Sequence, residues 1–271
     1  MLQDLHTLTP YLDFIRACNA DPDYRDPMLL TEQQLRRNLL DAPENPHTRV
    51  FGTFEGEAIT GVFALLVLED ERYLELLAGL SRSAASYDEL LAHLHSAYPG
   101  YQADFVYNPR NRLLQAALEA LSAEFDPEQQ KLVLRRAVPY TPDARVVPYR
   151  PEFRAQYLAL HTVDRYWTGE RVLDAPEIFR VLLAIEDGAV SGYIDLTHNS
   201  TENEPYDLFV REESRRRGLG RALLAAAIRE NHPNSMSLLV DIDNEPAISL
   251  YESQGFERAE GENNITAHVR L

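Results

Sequence analysis

Four arginines, Arg215, Arg216, Arg217 and Arg221, surround Gly218 and Gly220 in the run SRRRGLGRALLAAAI, Ser214 to Ile228. The chain carries a formal net charge of -17, so this basic cluster stands apart from its surroundings. The strand-like DLFV lies just upstream, and an alanine- and leucine-rich helix follows at once. The first amides of a helix lack internal partners, and the macrodipole adds partial positive charge there. Glycines let the backbone approach a bound anion without a Cβ in the way. The spacing therefore predicts an anion nest at the carboxyl end of a strand. A Walker loop, G-x-x-x-x-G-K-[ST], is absent, and Leu223 stands where a dinucleotide fingerprint needs its third glycine.

The elements that must position this loop belong to a chain of 271 residues, 45% apolar and 25% charged, enough for one large domain or two ordinary ones. No apolar run approaches the roughly 18 residues of a membrane helix, and the first residues carry no basic n-region, so a signal peptide is not expected. The single cysteine, Cys18, excludes an internal disulfide and a cysteine-based metal cluster. A soluble, cytoplasmic, metal-free protein is expected, with no membrane or nucleic-acid partner. A pI near 4.9 disfavours nucleic acid, which needs positive surface, and leaves room for a cationic substrate such as an amine.

The sequence repeats one plan twice. FEGEAITGVFAL (Phe54 to Leu65) and IEDGAVSGYIDL (Ile185 to Leu196) align without a gap, each reading as a β-hairpin. A proline-opened helix precedes each, TPYLDFIRAC and RPEFRAQYLALH, and strand, helix, strand, helix follow. The copies end on strand-like KLVLRRA and ITAHVRL, and VPYTPDA between them reads as a linker. The expected organisation is a domain over 1–137, a linker over 138–144 and a domain over 145–271. The expected fold class is α/β with a mixed sheet. The helical crossover makes YDLFV parallel to MSLLVDID, while the hairpin before it is antiparallel.

YDLFV, then RRRGLG as [RQ]-x-x-G-x-[GA], then NEPAISLYESQGF as N-x-x-A-x-x-L-Y-x-x-x-G-F, resembles the GCN5-related N-acetyltransferase (GNAT) family. The resemblance covers the whole second copy in element order and implies two tandem GNAT domains. It implies acetyl-CoA as co-substrate, with the backbone of Arg215, Arg216, Arg217, Gly218, Leu219 and Gly220 around its pyrophosphate. Arg221 adds charge, and Leu208, Phe209 and Val210 pair with the pantetheine arm as an added strand. Asn244 matches a family asparagine that contacts the arm. Tyr251 matches the tyrosine that protonates the departing thiolate, a transfer that suits a phenol of pKa near 10. Glu204 matches a glutamate that is the general base in some members, with Asp207 and Asp195 as alternatives; Pro205 interrupts its strand. Gly255 and Phe256 read as structural. Trp167, within RYWTGE (Arg165 to Glu170), and His198 are candidates for the acceptor pocket, each equally readable as a packing or exposed side chain.

Laying Asn108 on Asn244 puts Gln115, which has no acidic proton for a thiolate, in place of Tyr251. The corresponding loop, SRSAASYDELL, has Ser81, Ser83 and Ser86 but no G-x-G and one arginine, Arg82. The first copy is expected to have lost donor binding and catalysis. The expected activity is transfer of an acetyl group to a primary amine by direct attack, in a monomer or homodimer. The alternative is a CoA-binding sensor or scaffold without turnover.

Overall fold

The computed structural model describes residues 1–139, 141–161 and 167–271. In chain order the first elements are β1 (Leu2–Asp4), α1 (Leu12–Asn19), α2 (Glu32–Leu35), β2 (Thr48–Glu55), β3 (Ala58–Leu68) and β4 (Tyr73–Ser81). They continue as α3 (Ala84–Ala97), β5 (Gln102–Tyr107), α4 (Arg112–Ala120), β6 (Glu124–Phe125), β7 (Gln129–Leu134) and β8 (Val146–Pro148). Then come α5 (Arg154–Leu158), α6 (Gly169–Asp174), β9 (Phe179–Glu186), β10 (Ala189–Thr197), β11 (Glu202–Asn203) and β12 (Pro205–Val210). The chain closes with α7 (Leu219–Asn231), β13 (Ser235–Asp241), α8 (Glu245–Glu252), β14 (Phe256–Arg258) and β15 (Ile265–Arg270). None of the described helices is long and apolar enough to cross a membrane.

Two compact units result, Met1–Gln130 with Glu260–Leu271, and Lys131–Ala259. Both expected hairpins form. Gly56 (φ 63°) turns β2 into β3, and Asp187 (φ 50°) with Gly188 (φ 79°) turns β9 into β10. Left-handed turn residues match the twist of the strands they join.

The first unit holds a seven-stranded sheet in the order β1-β2-β3-β4-β5-β15-β6. It is mixed, because β4 and β5 pair in parallel across the α3 crossover while β3 pairs antiparallel with both neighbours. Strand alternation divides its core. Phe63 and Leu65 of β3 face α3 and α4, meeting Leu90, Leu94 and Leu118. Val62 and Ala64 point the other way, against Ile15 and Cys18 of α1. Each fully buried leucine or phenylalanine contributes about 1.5–3 kcal/mol relative to exposure.

The second unit is built from two four-stranded sheets, β12-β10-β9-β8 and β11-β13-β7-β14. Ile194 and Leu196 of β10 pack towards α7, while Val190 and Tyr193 pack with Tyr157 of α5. The expected parallel contact with MSLLVDID is made by Glu202 and Asn203, opposite Ser235 and Met236, rather than by YDLFV. The junction is tied down by Asn203, whose Nδ2 donates to Asn231 Oδ1 at 2.8 Å, while Asn231 Nδ2 donates to Ser235 O at 2.9 Å. Beyond it, β12 bonds β10 alone. Pro205, which has no N–H to offer, starts β12 at the register shift between Asp195 and Leu196.

The closing strands lie elsewhere than the sequence order suggests. Lys131–Leu134, from KLVLRRA, joins the second unit, where Leu132 to Leu134 pair with Arg258 to Phe256. Ile265–Arg270, from ITAHVRL, joins the first unit, running antiparallel to β5 from Ile265↔Tyr107 to Arg270↔Gln102. Both units are thus defined by boundaries near 130 and 260, in place of one linker at 138–144. Tyr140 of that linker lies outside the described residues.

Candidate active site

The arginine–glycine loop has an unusual backbone path. After a short 3-10 turn at Glu212–Ser214, Arg216 takes φ 63° and Gly218 takes φ 84°. Gly218 is the N-cap of α7 and has no side chain to satisfy the first helical amides, so they stay directed outward. A Cβ built on Gly218 would meet nothing within 4 Å. Left-handed residues at 216 and 218 bend the backbone between strand and helix, and turns of this kind gather N–H groups into a concavity that can hold an anion. The left-handed conformation of Arg216 costs of order 1–3 kcal/mol.

A cavity of about 1000 Å³ opens on this loop. Leu208, Phe209 and Val210 line it, with Arg215, Arg216, Gly218, Leu219, Gly220 and Arg221 from the loop and Asn244, Leu250 and Tyr251 from the α8 segment. Nearly every residue expected at the donor site therefore borders one space. Arg217 does not. Its guanidinium turns to Glu186, with Nη1 3.1 Å from Oε2, and Glu186 is also 3.5 Å from Arg145. Ser214, Pro246, Ala247 and Ser249 complete the lining and escaped the sequence, since small residues in a wall carry no pattern of their own.

The edge of β12 explains the cavity's apolar wall. The Arg211 amide donates to Ser191 O at 2.8 Å, so antiparallel alternation aims the backbone of Phe209 and Asp207 at β10. The backbone groups of Leu208 and Val210 then face the opposite edge, where β12 has no neighbouring strand. Phe209 thus spends its backbone inside the sheet, leaving Leu208 and Val210 for an added strand. The Val210 carbonyl already accepts from Arg215 Nε at 3.0 Å. Gly192 is required opposite, because a Cβ there would lie 2.6 Å from Phe209 O.

Asn244 caps α8, its side chain accepting from the Ala247 amide at 3.2 Å. One helical stretch further on, Tyr251 points inward, 8% exposed, its ring edge-on to Phe256 at 5.7 Å. Burial, joined by the charges of Asp207 and Glu204, pushes its phenol up to about 12. Gly255 (φ 93°) ends α8, and its carbonyl accepts from the Arg135 amide at 3.1 Å, consistent with a structural role.

Glu204 precedes β12, with its backbone exchanging bonds with Thr197. Desolvation of its carboxyl, and then the neighbouring Glu202 charge, raise its pKa. It does not border the cavity, but its charge reaches Tyr251. Asp207 accepts from Tyr193 Oη at 2.7 Å, and Asp195, fully buried, accepts from Tyr157 Oη at 2.9 Å. Trp167 packs edge-on against Phe179 at 4.9 Å, and His198 Nε2 lies 2.9 Å from Pro176 O. Neither borders the cavity. Arg165 and Tyr166 lie outside the described residues.

The first unit closes the same places. In SRSAASYDELL, Ser81 Oγ donates to Thr60 O and Ser86 Oγ donates to Thr60 Oγ1 at 3.0 Å. Arg82 binds Asp21 at 3.2 Å. Only Arg82 and Ser83 separate β4 from α3, so no loop exists to wrap an anion. The helix-cap register also corrects the expected alignment. Asn111, not Asn108, is the counterpart of Asn244, accepting from the Leu114 amide at 3.1 Å as the cap of α4. Buried Leu118, not Gln115, then falls where Tyr251 does, and Gln115 is a surface residue bonded to Arg112 and Glu119.

Comparison with known proteins agrees with this geometry. The family described as Acetyltransferase (GNAT) domain matches residues 177–258, which include the loop, the free edge of β12 and Tyr251. In fold, the chain is similar to a GCN5-related N-acetyltransferase from Sphaerobacter thermophilus, with 13% identity and a TM-score of 0.67 over 100% of this chain and 95% of that one. It is also similar to a tandem GNAT protein from the clavulanic acid biosynthesis pathway, with 16% identity and a TM-score of 0.58 over 100% and 98%. A GNAT-family acetyltransferase from Colwellia psychrerythraea shows 12% identity and a TM-score of 0.53 over the full length of both. No curated protein matches the sequence. Residues 177–258, within the second unit, match the GNAT acetyltransferase domain, and the whole chain has a fold similar to that of GNAT structures, a tandem one among them.

Proposed function

We propose that the second unit transfers an acetyl group from acetyl-CoA to a primary amine by direct attack. The observation that carries this reading is the joining of three features in one cavity: a left-handed glycine loop, an unpaired strand edge and an inward tyrosine. The amides from Arg215 to Gly220 hold the pyrophosphate, and Arg216 and Arg221 add positive charge. Leu208 and Val210 offer backbone groups to the pantetheine arm, as a partner strand would. Asn244 borders the same arm.

In the chemical step the amine nitrogen forms a bond to the thioester carbon and the carbon–sulfur bond breaks. The electron pair leaves on sulfur, and Tyr251 gives that sulfur its proton. A phenol held near 12 stays protonated at neutral pH and so remains a donor. The amine must lose its own proton. Glu204 is the proposed base, its raised pKa bringing it closer to the amine it must deprotonate. The acidic surroundings of Tyr251, with Asp207 and Glu204 contributing, suit an acceptor that arrives as a cation.

Titration calorimetry with acetyl-CoA tests the donor site, and a screen of amines with thiol detection tests turnover. Binding without thiol release on any amine would instead support a CoA-binding protein without catalysis. Absence of binding would remove both readings.

A further inference from the structure

On the face of β12 opposite Leu208 and Val210, three donor side chains converge. His161 Nε2, one oxygen of Asp195 and one of Asp207 all lie within 4.8 Å of one another. We propose that these three residues bind a divalent transition-metal ion of the zinc class, at a site separate from the donor cavity.

The elements explain the convergence. Asp195 on β10 and Asp207 on β12 are direct cross-strand partners, so their side chains leave the sheet side by side. His161 follows α5, and its ring is held from three directions. It stacks on Tyr193 at 4.3 Å and 16°, and meets the edge of Tyr157 at 4.6 Å. Gly169 backs it so closely that a Cβ there would lie 3.0 Å from the ring. That clamp costs the second unit its freedom to place any larger residue at 169.

Two observations favour a cation over a simple ion pair. The first is geometric. His161 Nε2 lies 3.1 Å from Asp195 Oδ2, close enough for both atoms to ligate one ion. Both atoms are buried, with side chains 8% and 0% exposed, and apart from each other neither has a polar partner among the described residues. Two ligands of one zinc ion, each about 2.0–2.2 Å from it, sit roughly 3–3.5 Å apart. An ion between them would satisfy both atoms at once.

The second is charge. Two carboxylates face one imidazole, and no described arginine or lysine contacts either carboxylate. A divalent ion would balance the carboxylate pair, and burying unbalanced charge is costly. The outer contacts also fit: Tyr157 donates to Asp195 Oδ1 and Tyr193 to Asp207 Oδ2, leaving one oxygen of each carboxylate for the ion. The absence of a cysteine cluster does not bear on a nitrogen–oxygen donor set of this kind.

The test uses the full chain, dialysed against chelator and then given zinc chloride. Metal analysis should find close to one ion per chain, and the melting temperature should rise by several degrees on adding zinc. His161→Ala and Asp207→Asn should each abolish the uptake and the rise. Asp207 is only partly buried, so its variant keeps the test sound if His161→Ala fails to fold. Replacing zinc by cobalt should add visible absorption bands that both variants lack. No retained ion and no melting shift with zinc or manganese would overturn the proposal. Equal uptake by wild type and Asp207→Asn would overturn it too, placing the metal elsewhere.

Discussion

The Gly79 amide donates to Asp26 Oδ2 at 2.7 Å. Gly61 opposite Ser81 and Gly192 opposite Val210 put the two hairpins in the same register, so Gly79 is the counterpart of Leu208. The first unit therefore engages with its own chain the strand-edge amide that the second unit leaves open. Asp26 Oδ1 accepts in addition from the Met28 amide at 2.8 Å.

Burial raises Asp26 to about 7 from an ordinary value near 3.8, against the opposing pull of its two backbone bonds. A carboxyl raised on folding favours the native state in its protonated form. Its contribution is complete below about pH 4 and lost as pH rises through about 7. The melting temperature of wild type should therefore fall relative to Asp26→Asn between pH 4 and 7, and run parallel to it above. Parallel curves across the whole range would refute the linkage. Asp26→Ala strands the buried Gly79 amide and the half-buried Met28 amide, and should cost about 1–3 kcal/mol for the first.

Tyr251→Phe should lower turnover by about 10²–10⁴-fold, the usual worth of a positioned proton donor. Calorimetric affinity for acetyl-CoA should stay within about twofold, because the ring and its contact with Phe256 persist. With the phenol near 12, the wild-type rate should show no fall between pH 8 and 10 from loss of its proton. An unchanged turnover in the variant would remove Tyr251 from the mechanism.

The arginines of one loop should separate by function. Arg217→Ala should leave acetyl-CoA affinity within about twofold, since its guanidinium serves Glu186 outside the cavity. Arg221→Ala, which removes a charge from the lining, should weaken binding by about tenfold and flatten its salt dependence. Calorimetry at two salt concentrations distinguishes them.

Gly218→Ala places a methyl group in open space, so any effect comes from φ 84° alone. The left-handed conformation costs an L-residue about 1–2 kcal/mol. The loop should relax, raising the dissociation constant for acetyl-CoA about tenfold for each 1.4 kcal/mol. Gly192→Ala acts differently. Its Cβ would lie 2.6 Å from Phe209 O, so it should lower the melting temperature by forcing β10 from β12.

Local chemistry made the loop, the hairpins and the tyrosine helix readable from sequence. A Gly-x-Gly turn before an alanine-rich helix, a glycine at a left-handed turn and an asparagine at a helix start act within a few residues, where chain connectivity already sets the geometry. The cavity lining at Leu208, Val210, Gly218 and Tyr251 follows from those elements once the crossover is parallel. Three outcomes needed the folded chain. KLVL and ITAHVR are both short alternating strands, and nothing in that pattern says that the first pairs with β14 and the second with β5. Arg217 and Arg221 are equal as residue types, and only the position of Glu186 turned one of them away. His161, Asp195 and Asp207 lie far apart in sequence, and no spacing announces their meeting. What the sequence alone determined was each local shape; pairings between distant segments were decided by tertiary packing, because they rest on a competition among partners that only the assembled core resolves.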